Sequence, residues 1–171
     1  MQMVKWIFGG FFLLIPFLWF LAPKQEIYYL MEKELEKEGV VISNETFTDG
    51  WFGLTISDAD IYFKGIPIAH ASSLELDILF FYNQLRITSV VLDKSLHNIA
   101  PKQVNEVVAT YSVIKPFKVA IEGSGSFGEI QGGVYLDKGM VQLTFPEVKD
   151  INALKKFLKK DATGWYYEKI Y

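Results

Sequence analysis

The side chains able to do chemistry are few and far apart in this chain. There are two histidines, His70 and His97, and no cysteine. Neither histidine stands at ligand spacing from the other or from an acidic cluster, so no metal set is assigned. The lack of cysteine removes thiolate nucleophiles, disulfides and cysteine-held metals together. Glu75 and Asp77 are paired carboxylates, but they alternate with Leu74, Leu76 and Ile78, as the solvent face of a half-buried strand does. No G-x-S-x-G elbow occurs. Asn44-Glu45-Thr46 fits a glycosylation acceptor, which has meaning only in a eukaryotic secretory pathway.

One motif match is formal only. Gly123-Ser124-Gly125-Ser126-Phe127-Gly128 fits G-x-G-x-x-G, whose chemistry requires a helix next, with its N-terminus on a pyrophosphate. Here 129–136 is glycine-rich and strand-like, which predicts a hairpin of small residues. No catalytic, cofactor-binding or metal residue is therefore assigned. The chain reads as a non-enzyme.

The elements that position these residues begin with an uncharged apolar run, 6–22, reaching the roughly 20 residues of a membrane span when Met3 and Val4 are included. Trp6 and Trp19 mark its ends, Phe11, Leu14 and Leu21 supply apolar bulk, and Pro16 predicts a kink. With no A-x-A-like cleavage site at Ala22, the run reads as a retained single-pass anchor over 1–23, its domain outside the cytoplasm. Residues 24–39 read as an amphipathic helix stopped by Gly39, with a stripe of Ile27, Met31 and Leu35 beside Leu30.

From Gly39 onward the period is two, and 40–171 reads as a β-rich domain. Strands are predicted at 41–47, 52–63 with a bulge near Ser57-Asp58, 66–71, 74–80, 85–92, 117–121, 128–136 and 139–145. Turns are predicted at Asp49-Gly50, Lys64-Gly65, Asn83-Gln84 and 137–139. The helical spacing of Val104, Val107, Val108 and Tyr111 predicts a short helix over 103–112, and 151–160 a last one capped by Asp150. The expected class is α+β: one N-terminal transmembrane helix, then a bent antiparallel meander with short amphipathic helices.

With 171 residues, half of them hydrophobic and 16% aromatic, the chain can build a core. Its net charge of -3 leaves no basic face for nucleic acid. The aromatic surplus, Phe52, Phe63, Phe80, Phe81, Phe117, Phe127 and Phe145, is read as core in preference to a groove lining. Leu79, Phe80 and Phe81 end an alternating strand with apolar groups directed to both faces, and they form the candidate interaction face.

From Pro23 to Asp93 the chain resembles the N-terminal half of the type II secretion protein N (GspN-like) family. The resemblance is carried by Pro23, Gly39-Val40-Val41-Ile42, Phe52-Gly53-Leu54-Thr55-Ile56-Ser57-Asp58-Ala59-Asp60-Ile61, Gly65-Ile66-Pro67 and the 74–79 strand. A later Phe127-Gly128-Glu129-Ile130-Gln131-Gly132-Gly133-Val134 hairpin and the 154–167 tail are similar to the family's as well. The resemblance implies a periplasmic domain held at the inner membrane of a Gram-negative cell, related to AsmA-like proteins whose bent sheets hold lipid. It implies no catalytic residue or cofactor. The chain as a whole reads as a non-enzymatic, inner-membrane-anchored structural or accessory component of an envelope assembly, of secretion-system or flagellar-motor type, with protein partners. The alternative is a lipid-handling module with an apolar groove on its sheet.

Overall fold

A computed structural model describes residues 24–50, 52–79 and 81–171. It begins with a helix, α1 (Lys24–Lys37), which ends where predicted, at Gly39 with φ 84°. Only glycine takes that left-handed conformation freely, so the chain turns there directly into strand. α1 lies over the first strands of a single antiparallel sheet. Its anchor is Tyr28, fully buried, with Phe47 edge-on at 5.1 Å between ring centroids. Of the expected stripe, Leu35 is half-buried and Leu30 is 68% exposed, while the side chains of Ile27 and Met31 lie outside the described residues.

The strands are β1 (Val40–Ser43), β2 (Thr46–Asp49), β3 (Gly53–Phe63), β4 (Ile66–Leu79), β5 (Tyr82–Leu92), β6 (Gln103–Ser112), β7 (Lys118–Gly125), β8 (Gly128–Tyr135), β9 (Met140–Phe145), β10 (Lys159–Asp161) and β11 (Gly164–Ile170). They pair as a meander in the order β1-β3-β4-β5-β6-β7-β8-β9-β11-β10, with β2 also on β3. The predicted turns at Lys64-Gly65 and 137–139 are present, with positive φ at Lys64, Gly65 and Gly139.

A crease crosses four of the strands. Ile56 pairs with Leu74, Leu74 with Ile87 and Ile87 with Val107; three residues further along, Ala59, Ala71, Val90 and Val104 form a second such row. Both rows lie on one face, although strand alternation would put residues three apart on opposite faces. Between the rows Asp58, Ser72, Ser89 and Asn105 are skipped by the pairing, and all four are exposed. Asp58 and Ser89 take φ of 59° and 54°. A bulge resets parity and bends its strand, and here it recurs in register from β3 to β6. Asn44, φ 66°, breaks the edge strand opposite Asp58 into β1 and β2, where one strand was predicted. The small side chains Ala59 and Ala71 are buried beside the crease in one core cluster with Tyr28, Leu54 and Ile56.

The α+β class with an N-terminal transmembrane helix is therefore corrected. Among the described residues the fold is mostly antiparallel sheet, 61% strand and 10% helical. The expected helix over 103–112 is strand β6. The bulge at Asn105 puts Val104 and Val107 on one face, and that three-residue step imitates helical spacing. The expected helix over 151–160 is a run of turns followed by β10. Asp150 does cap its start, accepting from the Asn152 amide at 3.3 Å, but the turns that follow do not propagate. The tight return placed at Asn83-Gln84 lies inside β5, and the chain reverses between Leu79 and Tyr82 instead.

The single-pass membrane localisation is corrected as well. Among the described residues no helix is long and apolar enough to cross a membrane. The anchor residues Trp6, Phe11, Leu14, Pro16, Trp19 and Leu21 lie outside the described residues.

Candidate functional site

Antiparallel pairing assigns every strand residue to a face, because directly opposed residues share one. Between the crease and the sheet end where β4 turns into β5, one row runs Leu54, Leu76, Leu85, Ala109, Ile121, Gly132, Leu143 and Tyr167 across eight strands. At the usual strand spacing that row is about 33 Å long. The next row on the same face holds Ile78, Asn83, Tyr111, Val119, Val134 and Val141. Asn83 is the polar exception, and its buried Oδ1 has no hydrogen-bond partner among the described residues.

The opposite face is built from other chemistry. The row beginning at Thr55 continues through Glu75, Arg86, Val108, Glu122, Gln131 and Thr144. There Arg86 binds Glu106 directly and approaches Glu75 at 3.8 Å. These pairs are partly exposed and keep that face wetted rather than holding the fold together.

The apolar face is covered at two places. α1 closes it over β1 and β3, where Leu54 and Ile56 are 1% exposed. The 151–158 turns close it elsewhere, where Ile151 packs with Phe127 and Phe145 and is joined by Leu154, Leu158 and Trp165. Gly128, φ 104°, permits that closure, because a Cβ there would collide with the Glu147 carbonyl. Between the two covers Leu85, Ala109, Ile121 and Leu143 belong to neither cluster and stay half-buried. An apolar strip thus lies open along the middle of the sheet, with the ionic face behind it.

No family model, curated protein or solved structure matches the chain.

The sequence-derived candidates fall around this strip. Leu79 ends β4 and pairs with Tyr82; Phe81 sits in the turn, 61% exposed, and α1 packs elsewhere; Phe80 lies outside the described residues. Of the phenylalanines read as core, Phe127 and Phe145 are buried, whereas Phe52, Phe63, Phe81 and Phe117 are exposed. The strip itself was missed. Its signal was present in the apolar parity of each strand, but the register that joins the parities is tertiary information.

The two histidines, far apart in sequence, line one hollow of about 410 Å³ with Asp60 and Asp93. His70 Nδ1 lies 2.8 Å from Asp60 Oδ1, and His97 Nε2 lies 3.1 Å from the Leu92 carbonyl oxygen. Asp60 is held below the usual carboxylate range, first by the Asn44 side-chain amide and then by His70. Asp93 is lowered in the same way by Ser95. Among the described residues no hydroxyl lines the hollow, and no cluster of three acidic or histidine groups could hold a metal. At 123–128 the chain forms the hairpin of β7 and β8, as predicted, and no helix follows it.

Proposed function

We propose that this chain is a non-enzymatic binding module whose creased sheet holds the hydrocarbon chain of a lipid along its apolar face. One observation carries the reading: an apolar row crosses eight strands, and its stretch from Leu85 to Leu143, about 19 Å at the usual strand spacing, is left half-covered between two closed cores. Monomeric soluble proteins rarely leave so large a contiguous apolar surface open, so an occupant is required. A hydrocarbon chain matches it because Asn83 is the one polar residue of the two rows that fill the strip, and no charged side chain enters them between β4 and β9. The resemblance to the GspN-like family points the same way, through relatives whose bent sheets hold lipid.

Native mass spectrometry of the full chain, extracted in mild detergent and exchanged into vesicle lipid, tests this. Bound phospholipid or fatty acid is expected. Ala109→Trp fills the middle of the strip and should abolish the bound mass while the circular dichroism stays unchanged. If the wild-type chain carries no lipid, the reading fails. A copurifying protein on this face would instead support the structural role in an envelope assembly.

A further inference from the structure

The end of the sheet at which this strip opens has an unusual set of turns. Hairpin turns ordinarily carry small and polar residues. Here three successive connections, β4–β5, β6–β7 and β8–β9, present Phe81, Ile114, Phe117 and Leu136 at 61%, 86%, 63% and 49% exposure. The register puts all three at one end of the sheet, since Leu79 pairs with Tyr82, Tyr82 with Ser112, Lys118 with Tyr135 and Tyr135 with Met140. At two strand spacings between successive turns, these side chains form a line about 20 Å long.

The charge along that line has one dominant sign. Lys115, Lys118 and Lys138 lie within 112–118 and 135–139, against the single carboxylate of Asp137. Lys118 and Lys138 reach over the Tyr135 ring, at 5.3 and 5.5 Å from its centroid, so both ammonium groups sit beside the apolar tips. The opposite end exposes fewer apolar groups within its turns: Ile99 at 47% in the β5–β6 connection, none in Lys64-Gly65 itself, which Phe63 and Ile66 flank on their strands, and Phe127 buried in the third. Apolar tips on separate turns, with lysines between them, suit a surface that is apolar inside and anionic outside. A flat protein patch would need apolar groups side by side, together with an acidic partner surface.

We propose that this rim docks on an anionic lipid bilayer, the four apolar tips entering the interface and the three lysines meeting headgroup phosphates. The inference extends the acyl-chain reading by giving the strip an entrance from the bilayer, but it rests on different residues.

The absence of native cysteine allows a clean test on the full chain. An environment-sensitive fluorophore is attached to Ile114→Cys and, separately, to Ile66→Cys at the opposite end. Phosphatidylcholine vesicles containing phosphatidylglycerol should blue-shift the Ile114→Cys probe and shield it from an aqueous quencher, leaving the Ile66→Cys probe unchanged. Replacing Lys115, Lys118 and Lys138 by Glu should weaken the response on the order of a hundredfold. A probe at 114 that stays wet with these vesicles overturns the proposal. So does a probe already shielded without vesicles, which means a protein or a second copy covers the rim, or a response that survives the lysine replacement. Lipid bound in native mass spectrometry is read separately, so loss of docking with retained lipid removes this inference alone.

Discussion

Tyr28→Phe should stabilise the protein, against the usual direction of a core substitution. Tyr28, on α1, is fully buried against the sheet, and its Oη has no hydrogen-bond partner among the described residues. Leaving a buried hydroxyl unpaired costs about 1–3 kcal/mol. Phenylalanine keeps the ring, including its edge-on contact with Phe47 at 5.1 Å, and deletes the stranded oxygen. Taking the low end, the gain is about 1 kcal/mol, or a rise of about 2–4 °C in melting temperature for a domain of this size. Tyr28→Ala sets the opposite scale: losing the ring should cost about 3–5 kcal/mol. The hydroxyl also links stability to pH. Burial, then the charges of Glu45 and Glu32, push its pKa above the ordinary tyrosine value. The folded state keeps the proton where the unfolded state has lost it. This contribution is fully present below about pH 10 and fades as the pH rises above that value, by up to about 1.4 kcal/mol per unit. Thermal unfolding followed by near-ultraviolet circular dichroism, at neutral pH and above pH 10, reads both effects. The Phe variant should melt higher and lose less stability in alkali. A variant that melts several degrees lower would refute the reasoning, because the hydroxyl would then have a partner.

Other expectations follow from the same geometry. Asp60 should titrate below a free aspartate by carbon-detected NMR, and Asn44→Ala, which removes the first cause of the shift, should move it back up; no movement refutes that assignment. Gly128→Ala forces a side chain onto φ 104° and into the Glu147 carbonyl, so the cluster of Phe127, Phe145 and Ile151 should loosen, with a loss of about 2 kcal/mol or more in denaturant unfolding. Ala71→Leu overfills the core at the crease and should cost about 1–3 kcal/mol by the same assay. Calorimetry with NAD and ATP should show no heat, because a strand follows Gly123–Gly128; micromolar binding that Gly125→Ala removes would overturn this.

What the sequence by itself determined is the local chemistry of the chain. Glycine and its neighbours encode their own backbone angles, so the stop at Gly39 and the turns at Lys64-Gly65 and 137–139 are legible without any partner. The alternation from Leu74 to Ile78 names a strand and its wet side, and the parity shift at Ser57-Asp58 names a bulge. Face membership and exposure depend on which strand lies alongside, and that was decided only in the folded sheet. Val104 and Val107 read as helix because their three-residue step is set by a crease that begins three strands away. Phe81 and Phe117 read as strand or core, yet pairing of the flanking residues leaves both in turns, where nothing covers them among the described residues. The open strip has the same origin. Leu85, Ala109 and Ile121 are ordinary inward residues within their own strands, and only register aligns them into one surface too wide for α1 and the 151–158 turns to close.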